Sequence, residues 1–248
     1  MFDKNYWVGA YVTGPTTGAG VNHSQPQPLG ATFRAVGVPI NNDLTTVLVG
    51  FDALYLAETG GATNNTLGLS DRIEVRIDPA TNALLNTGTL NFVNSAHVLS
   101  GEAAVKHGSF LASGEYFNYN VQRTNGLGDL SFEGGYGQAS YVITGEQHKY
   151  STSSGAFGGV APARPVNFAT GDLGAWELAV RYTYANLNDL TIRGGEMKNT
   201  TVGVNWYVNN NMRFMFNWIH GTVDKFNTAG VNTGADYDVF AMRTQVAW

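Results

Sequence analysis

Apolar and polar residues alternate with a period of two over most of residues 173–248. The alternation is clearest in four segments, residues 173–188, 199–208, 212–220 and 237–248. A period of two predicts β-strands that have one apolar and one polar face. These segments are longer than the roughly five or six residues of ordinary strands, and they match the roughly 9–11 residues with which a β-strand crosses a bilayer. We therefore expect strands that turn their apolar side to lipid and their polar side to a wet lumen.

The same alternation, weaker in places, predicts further strands along the rest of the chain. Twelve are expected in total, at residues 5–13, 31–40, 44–56, 72–78, 84–93, 96–108, 109–123 and 129–144 and in the four segments above. Residues 72–78, RIEVRID, show the sharpest alternation. An even number of strands is typical of bacterial outer-membrane barrels. The sequence thus predicts an all-β protein whose fold is a transmembrane antiparallel β-barrel.

The predicted connections fall into a short set and a long set that alternate along the chain. The short set contains residues 41–43, 79–82, 107–109 and 209–210. The long set contains residues 14–30, 57–70, 189–198 and 225–234, with short exceptions near 94–95 and 124–128. Outer-membrane barrels have short periplasmic turns and longer external loops, which is the same division. Segment 145–172 is a long member of the short set. It is expected either to fold into the pore as a constriction or to connect strands at the periplasm and pack against a neighbouring subunit.

The composition narrows the class of protein. Charged residues make up 13% of the 248 residues, about half the usual share in soluble domains. No run of about eighteen apolar residues exists, which excludes a helical membrane protein. The absence of cysteine excludes a disulfide scaffold and a cysteine-ligated zinc site. A net charge of −5 without any basic stripe argues against binding to nucleic acid.

The sequence contains no recognisable catalytic motif. The five histidines do not show a metal-ligand spacing such as HExxH, and no GxSxG nucleophile motif is present. We therefore predict no catalytic residues, no metal and no cofactor, and we expect that the protein is not an enzyme.

Cationic side chains on the predicted polar faces are the candidate contacts for solutes. They are Arg34, Arg72, Arg76, Lys106, Arg181, Arg213 and Arg243. Rings of arginine or lysine in a pore favour anions. The alternative is that they pair with acidic residues of neighbouring strands, such as Glu74, Glu102 and Glu177, and only stabilise the wall. Arginines without acidic partners would favour the first interpretation, with Arg72 and Arg76 as the strongest candidates.

Aromatic residues near predicted strand ends are candidates for the girdle at the boundary of lipid and water. They are Trp7, Tyr184, Trp206 and Trp218. The final strand presents one further apolar series and ends the chain in an aromatic residue. This series is Phe240, Met242, Val246 and Trp248.

Several segments resemble the phosphate-selective porin family, the porin O and P type of Gram-negative outer membranes. Residues 144–157 carry Thr-Gly-Glu, then Tyr150 and Ser-Gly-Ala-Phe. The other segments that carry the resemblance are Ser-Gly-Glu-Tyr-Phe at 113–117, Gly-Ala-Trp-Glu-Leu-Ala-Val-Arg-Tyr at 174–182, Leu-Asn-Asp at 187–189 and Gly-Val-Asn-Trp-Tyr at 203–207. Their order along the chain is that of the family.

The resemblance implies a single outer-membrane barrel domain over residues 1–248. It implies that this domain is the C-terminal part of a sixteen-stranded porin and lacks N-terminal strands and a signal peptide. The expected function is passive diffusion of small hydrophilic solutes and ions, with phosphate among the anions. The expected partners are outer-membrane lipid, a homotrimer in the full-length form, and the assembly machinery that recognises the final strand with its terminal aromatic residue.

Three alternatives stay open. One is a channel with a specific phosphate or anion site. Another is a structural barrel whose lumen is plugged, with segment 145–172 as the candidate plug. The third is a soluble β-sandwich, which would have to bury its aromatic faces against a second sheet.

Overall fold

The computed structural model describes residues 2–14, 29–59, 65–75 and 83–247, without the side chains of Phe2 and Glu58. The described residues form strands and contain no helix. The strands are β1 (Phe2–Asp3), β2 (Tyr6–Thr13), β3 (Leu29–Asn41), β4 (Thr45–Glu58), β5 (Thr66–Leu67), β6 (Ser70–Asp71), β7 (Leu85–Asn86), β8 (Leu90–Asn91), β9 (Val93–His107), β10 (Phe110–Arg123), β11 (Leu130–Val142), β12 (His148–Ser151), β13 (Ala156–Val160), β14 (Ala175–Asp189), β15 (Ile192–Tyr207), β16 (Met212–Asp224) and β17 (Asp236–Val246).

One antiparallel sheet contains all the long strands. Its order is β1-β2-β3-β4-β9-β10-β11-β14-β15-β16-β17. Each strand therefore pairs with its neighbour along the chain, apart from the short strands that lie between β4 and β9 and between β11 and β14. The prediction of an all-β antiparallel protein is confirmed. Within the described residues the sheet does not close, since β1 and β17 are its two edges.

The prediction of twelve strands is wrong at two positions. Ten long strands form the sheet of the described residues, and β4 pairs directly with β9, from Thr45 opposite His107 to Leu56 opposite Ala96. Residues 72–75 lie outside any strand, and residues 76–82 lie outside the described part. The predicted strand 84–93 contributes only the two-residue strands β7 and β8 before β9 begins.

The error at residues 65–92 has a physical cause. Apolar residues of this connection are buried against the inner wall, where Leu85 and Leu90 are fully enclosed. Glu74 accepts hydrogen bonds from Thr183 and Thr201, which lie on the same inner face. An alternating segment can thus cover a wall from inside as well as form part of it, because alternation only says that the two sides differ.

The two faces of the sheet differ as the alternation predicts. Phe240 is 82% exposed, Met242 61% and Val180 47%, whereas Glu177, which faces the other way, is only 3% exposed. Bulky outer residues lie side by side across strands, for example Val202 opposite Trp218. No second layer covers this outer face in the described part of the chain. The apolar face is not buried as a β-sandwich would require, so that alternative is wrong for these residues.

Several connection lengths follow the prediction. Residues 94–95, predicted as a connection, lie within β9, and the predicted short turn 79–82 lies outside the described residues. Residues 189–198 also differ from the prediction. The short turns 42–44, 108–109 and 208–211 lie at one end of the sheet, where the long segment 143–174 also begins and ends. The expected long loop after β14 is instead a tight turn, since Asp189 pairs with Ile192. The strand β15 continues through Glu196 and Lys198, which lie on the outer face. The outward apolar series stops there because the outer face is polar at this end, whereas Met197 on the inner face is buried with Leu85 and Val223.

Segment 145–172 folds against the concave inner face. Strands β12 and β13 form a hairpin, and Val160 is buried with Val142, Ala175 and Tyr207 of the wall. On its other side the hairpin packs Tyr150 and Phe157 against a cluster of residues on β3 and β4. We call residues 148–160 the inserted hairpin. Of the two placements predicted for this segment, the structure has the one inside the wall.

Leu90 of the connection between β4 and β9 is buried with residues of the wall in one apolar cluster on the inner face, which we call the inner cluster. Truncation of a large side chain in this cluster is expected to destabilise the fold. Phe132 is 1% exposed and packs with Leu90 and Val121. Phe132→Ala should lower the free energy of unfolding by about 3–5 kcal/mol, because it leaves a cavity. Guanidinium unfolding in detergent micelles would measure the change.

The matched control is Phe168→Ala, since Phe168 is 82% exposed on segment 145–172. It should change the free energy of unfolding by less than about 0.5 kcal/mol. Equal effects of the two substitutions would contradict the placement of the inner cluster.

Candidate functional site

A cavity of about 970 Å³ lies between the concave face of the sheet and the inserted hairpin. Alternation places polar side chains of β3, β9, β11 and β14–β17 around it, and Glu74 approaches from the connection between β4 and β9. The charged residues that line it are Arg34, Glu74, Glu102, His148, Glu177, Arg181, Arg213 and Arg243. The cavity thus brings together four of the seven cations predicted as solute contacts.

Arg34 on β3 is neutralised and fastens the inserted hairpin. Its Nε donates to Glu102 Oε1 at 2.8 Å and lies 3.4 Å from Asp52 Oδ1. Its Nη1 and Nη2 donate to the carbonyl oxygens of Ser154 and Gly155, at 3.1 and 3.0 Å. The guanidinium therefore has two carboxylates beside it, and it also donates hydrogen bonds to the tip of the hairpin.

Arg181 on β14 is also paired. Its Nε lies 3.5 Å from Glu74 Oε1, and its Nη1 donates to Gln138 at 3.0 Å. The guanidinium carbon lies 3.9 Å from the centre of the Tyr136 ring, a cation–π distance. Arg181 thus holds the connection between β4 and β9 against the wall.

Arg213 and Arg243 have no carboxylate within 4.0 Å among the described residues. Arg213 donates from Nε and Nη2 to Gln245 Oε1, at 3.0 and 2.8 Å, and lies 5.8 Å from the Tyr207 ring centre. Arg213 on β16 lies opposite Gln245 on β17. Arg243 is exposed and lies two residues before Gln245 on β17, opposite Met215. This diagonal position separates the two arginines by about 7–8 Å along the sheet. Two cations without acidic partners on one concave surface attract anions.

Two of the remaining predicted cations, Lys106 and Arg72, are described by the structure and are not among the residues that line the cavity. Lys106 is 6% exposed, and its Nζ donates to the Asp43 carbonyl oxygen and to Gln147 Oε1. It therefore stabilises the start of segment 145–172. The backbone N–H of Arg72 donates to Asp71 Oδ1. Arg76 lies outside the described residues, so the pair predicted as the strongest candidate stays a prediction.

Three of the four predicted girdle residues lie on the outer face. Trp206 stacks on Trp176, with ring centres 5.3 Å apart, and donates its indole N–H to the Leu173 carbonyl oxygen. Trp218 and Tyr184 donate to carboxylates of the outer face, Asp238 and Glu133 respectively. Each of these rings lies on the outer face and is hydrogen-bonded at its polar edge, and their role as a girdle stays a prediction.

Trp7 does not lie on the outer face predicted for it. Its indole N–H donates to the Ser153 carbonyl oxygen, and its ring lies 5.3 Å from the Arg34 guanidinium. The alternation of β2 is ambiguous because Trp7 and Val8 are both apolar and only one can face lipid. In the final strand Phe240, Met242 and Val246 are exposed on the outer face, and Trp248 lies outside the described residues.

The inserted hairpin has a second fastening that the sequence did not predict. His148 Nε2 lies 2.7 Å from Glu177 Oε1, and His148 Nδ1 lies 2.8 Å from the Gly158 carbonyl oxygen. Glu177 Oε2 accepts hydrogen bonds from Asn205 and Tyr207, both at 2.8 Å. Both members of this ion pair are buried, with 9% and 3% of their side chains exposed.

The described residues contain no group of three or more His, Asp or Glu side chains that could hold a metal ion. No helix long and apolar enough to cross a membrane occurs among them.

Comparison with known proteins gives the family. The family profile of phosphate-selective porin O and P matches residues 3–248. Porin O of Pseudomonas aeruginosa is 29% identical over 154 residues, which cover 58% of this chain and 33% of that protein. An uncharacterized protein of Caulobacter vibrioides is 29% identical over 157 residues, 63% of this chain and 30% of that protein. The chain thus spans about a third of the length of these curated relatives. Because the family profile covers nearly the whole sequence, the chain belongs to the phosphate-selective porin O and P family.

Proposed function

We propose that this chain forms wall and constriction of an outer-membrane porin through which small hydrophilic solutes and ions diffuse, with a preference for anions such as phosphate. The observation that carries the proposal is the pair of Arg213 and Arg243, which face a polar cavity and have no carboxylate within 4.0 Å among the described residues. No chemical step is involved. Selectivity comes from the size of the passage and from the charges that line it.

The proposed barrel closes with strands beyond those of the sheet described here. In lipid every backbone N–H and C=O group must be hydrogen-bonded, so a sheet that crosses a bilayer cannot keep open edges. The two edges of the eleven-stranded sheet, β1 and β17, would therefore pair with further strands. We propose that the chain is the C-terminal part of a single sixteen-stranded barrel, which agrees with its matching a third of Porin O.

The outer face supports a location in the outer membrane. Its exposed apolar residues, such as Val180 and Phe240, would contact lipid tails. Trp206 and Trp218 would lie in the aromatic girdle. Phe240, Met242, Val246 and Trp248 would form the signal that the assembly machinery recognises, and the full-length protein would be a homotrimer.

The plugged barrel is the second candidate, and the inserted hairpin is the observation in its favour. The hairpin fills part of the lumen, yet a cavity of about 970 Å³ remains beside it. The lining of that cavity includes both charged residues and glycines, for example Gly158 and Gly159. This favours a constriction over a complete plug.

Removal of Arg213 and Arg243, which have no carboxylate within 4.0 Å among the described residues, is expected to weaken anion preference. In the variant Arg213→Gln/Arg243→Gln, the ratio of chloride to potassium permeability should fall by roughly fivefold for each charge. A charge about 4 Å from an ion changes its energy by about 1 kcal/mol in water. The reversal potential across a potassium chloride gradient in planar bilayers measures this ratio, and block of chloride current by added phosphate should weaken in parallel.

Arg193→Gln is the matched control, because Arg193 donates to the Asn227 carbonyl oxygen and does not line the cavity. It should leave the permeability ratio within about 1.5-fold of the unmodified value, since charges beyond a Debye length of about 8–10 Å are screened. An equal fall in both variants would mean that net charge, and not this pair, sets the preference. Stable conductance steps that phosphate never blocks would favour a general channel over a specific anion site.

Two neighbouring residues of β14 test which face meets lipid. Val180 lies on the outer face and Ala179 lines the cavity. Val180→Lys should destabilise the protein in lipid by about 2–4 kcal/mol, because a lysine on the lipid face near the bilayer centre is unfavourable. Ala179→Lys should change the free energy of unfolding by less than half as much. Unfolding by urea in lipid vesicles measures both, and the reverse order would place the lipid on the wrong face.

A further inference from the structure

We propose that His148, as the imidazolium ion, is the positioning residue that fastens the base of the inserted hairpin to the wall, and that loss of its proton as the pH rises loosens the hairpin. The consequence for the passage, a larger ionic current at high pH, rests on the proposed pore function. The loosening itself does not, since it concerns contacts within the chain.

The geometry around His148 requires two donors on one ring. Nε2 faces the Glu177 carboxylate at 2.7 Å, and Nδ1 faces the Gly158 carbonyl oxygen at 2.8 Å. A carbonyl oxygen can only accept, and a neutral imidazole carries a single N–H. A neutral ring would therefore lose one of the two contacts inside a buried site, where an unsatisfied polar group is costly. The imidazolium satisfies both.

Glu177 is held as the matching carboxylate. Its Oε2 accepts from Asn205 Nδ2 and from the Tyr207 hydroxyl, both at 2.8 Å. Donors on a carboxyl group favour its ionised form. The pair thus joins a cation on the hairpin to an anion on β14. Val160 lies opposite His148 and Val142 lies opposite Glu177, and both valines belong to one buried cluster.

Charged and titratable groups on the packed elements affect the proton on His148. Glu177 approaches from β14 and favours the charged ring, whereas Arg213 approaches from β16 and opposes it. Tyr207 on β15 contacts Glu177, and Lys149 and Tyr150 are the ionisable neighbours on the hairpin itself. Burial lowers the pKa of His148, but the hydrogen bonds to Glu177 and Gly158 and the charge of Glu177 outweigh it, so the pKa is raised above its ordinary value.

The direction of the pH dependence follows from the upward shift of the His148 pKa. A group whose pKa is raised on folding stabilises the folded state fully below its ordinary pKa, which is about 6.5 for histidine. That stabilisation is lost as the pH rises through the raised value. The fastening should therefore be complete below about pH 6.5 and weaken as the pH rises through the raised pKa of His148.

The other end of the hairpin stays attached when His148 is neutral. Arg34 donates to the carbonyl oxygens of Ser154 and Gly155, and the Trp7 indole donates to that of Ser153. A guanidinium keeps its charge at every accessible pH. Deprotonation should thus loosen the base of the hairpin, beside Tyr207 and Arg213, while its tip remains bound to β2 and β3.

A spin label at the base of the hairpin tests this directly. The chain contains no cysteine, so Lys149→Cys gives a single attachment site on an exposed residue next to His148. Nitroxide mobility would be recorded between pH 5 and 9 in lipid vesicles by electron paramagnetic resonance. The mobile fraction is expected to rise at least threefold, with a midpoint above about 6.5. Mobility that stays constant over this range would overturn the proposal without any further variant.

Substitutions in the labelled background separate the pair from general effects of pH. His148→Gln, which is neutral at every pH, should give a mobile hairpin whose mobility no longer depends on pH. Glu177→Gln should give an attached hairpin without this pH dependence, because its amide can donate to Nε2 of a neutral ring whose Nδ1–H donates to Gly158. The control is His107→Gln, at a turn of the wall where His107 contacts Thr45. In this variant the mobility of the label should depend on pH as it does in the labelled parent. An unchanged titration in His148→Gln would mean that another group is responsible.

Single-channel current in planar bilayers then distinguishes this inference from the proposed function. Steps that grow with pH in the parent and in His107→Gln, but not in His148→Gln, would support both. Current with a normal step size at every pH, together with an immobile label, would overturn the fastening alone. A label that becomes mobile with pH in a protein that never conducts would overturn the pore and leave the fastening intact.

Discussion

The structure depends on one constraint, that the backbone N–H and C=O groups of its strands must be hydrogen-bonded. In the proposed outer-membrane location the sheet itself has to provide all of these bonds. Ten long strands meet this constraint by pairing with their neighbours in antiparallel order, over registers that run almost without interruption. Once the register is set, the period of two sends alternate side chains to opposite faces. The apolar exterior and the polar interior are therefore consequences of a single pairing pattern, and a slip by one residue would exchange them.

The arginines of the inner face differ in their partners, and two segments that pack against this face supply some of these partners. The segments are the connection between β4 and β9 and the inserted hairpin. The connection between β4 and β9 brings Glu74 to Arg181, and the inserted hairpin brings carbonyl oxygens to Arg34, which also has Asp52 and Glu102 beside it. These two cations stabilise the lining. Arg213 and Arg243 lie on β16 and β17, which neither segment supplies with a carboxylate in the described residues. The same residue type thus holds the wall together in one half of the cavity, and in the other half it has no carboxylate within 4.0 Å among the described residues.

The sequence predicted the wall far better than its lining. Strands β9 to β11 and β14 to β17 follow from local alternation, because each face of a strand meets one uniform environment. Residues 72–75 were assigned wrongly to a strand of the wall, because alternation does not distinguish such a strand from a segment that packs inside the wall. The partners in the lining are also distant in the chain, as with Glu74 and Thr183, which are 109 residues apart. The alternation of apolar and polar residues placed Arg181 and Arg213 on the same face. Only the folded structure shows that Arg181 lies beside Glu74, whereas Arg213 has no carboxylate within 4.0 Å among the described residues.

The two fastenings of the inserted hairpin differ in kind, and this difference follows from their chemistry. At the tip, Arg34 donates to main-chain oxygens, and a guanidinium with two neighbouring carboxylates stays charged throughout the range in which the protein is folded. At the base, an imidazole meets a carboxylate and a carbonyl oxygen, and it can satisfy both only while it carries two protons. The base also lies beside Tyr207 and Arg213, whereas the tip lies beside Trp7. The end of the hairpin whose attachment we propose to depend on a proton is therefore the end next to Arg213, which has no carboxylate within 4.0 Å among the described residues.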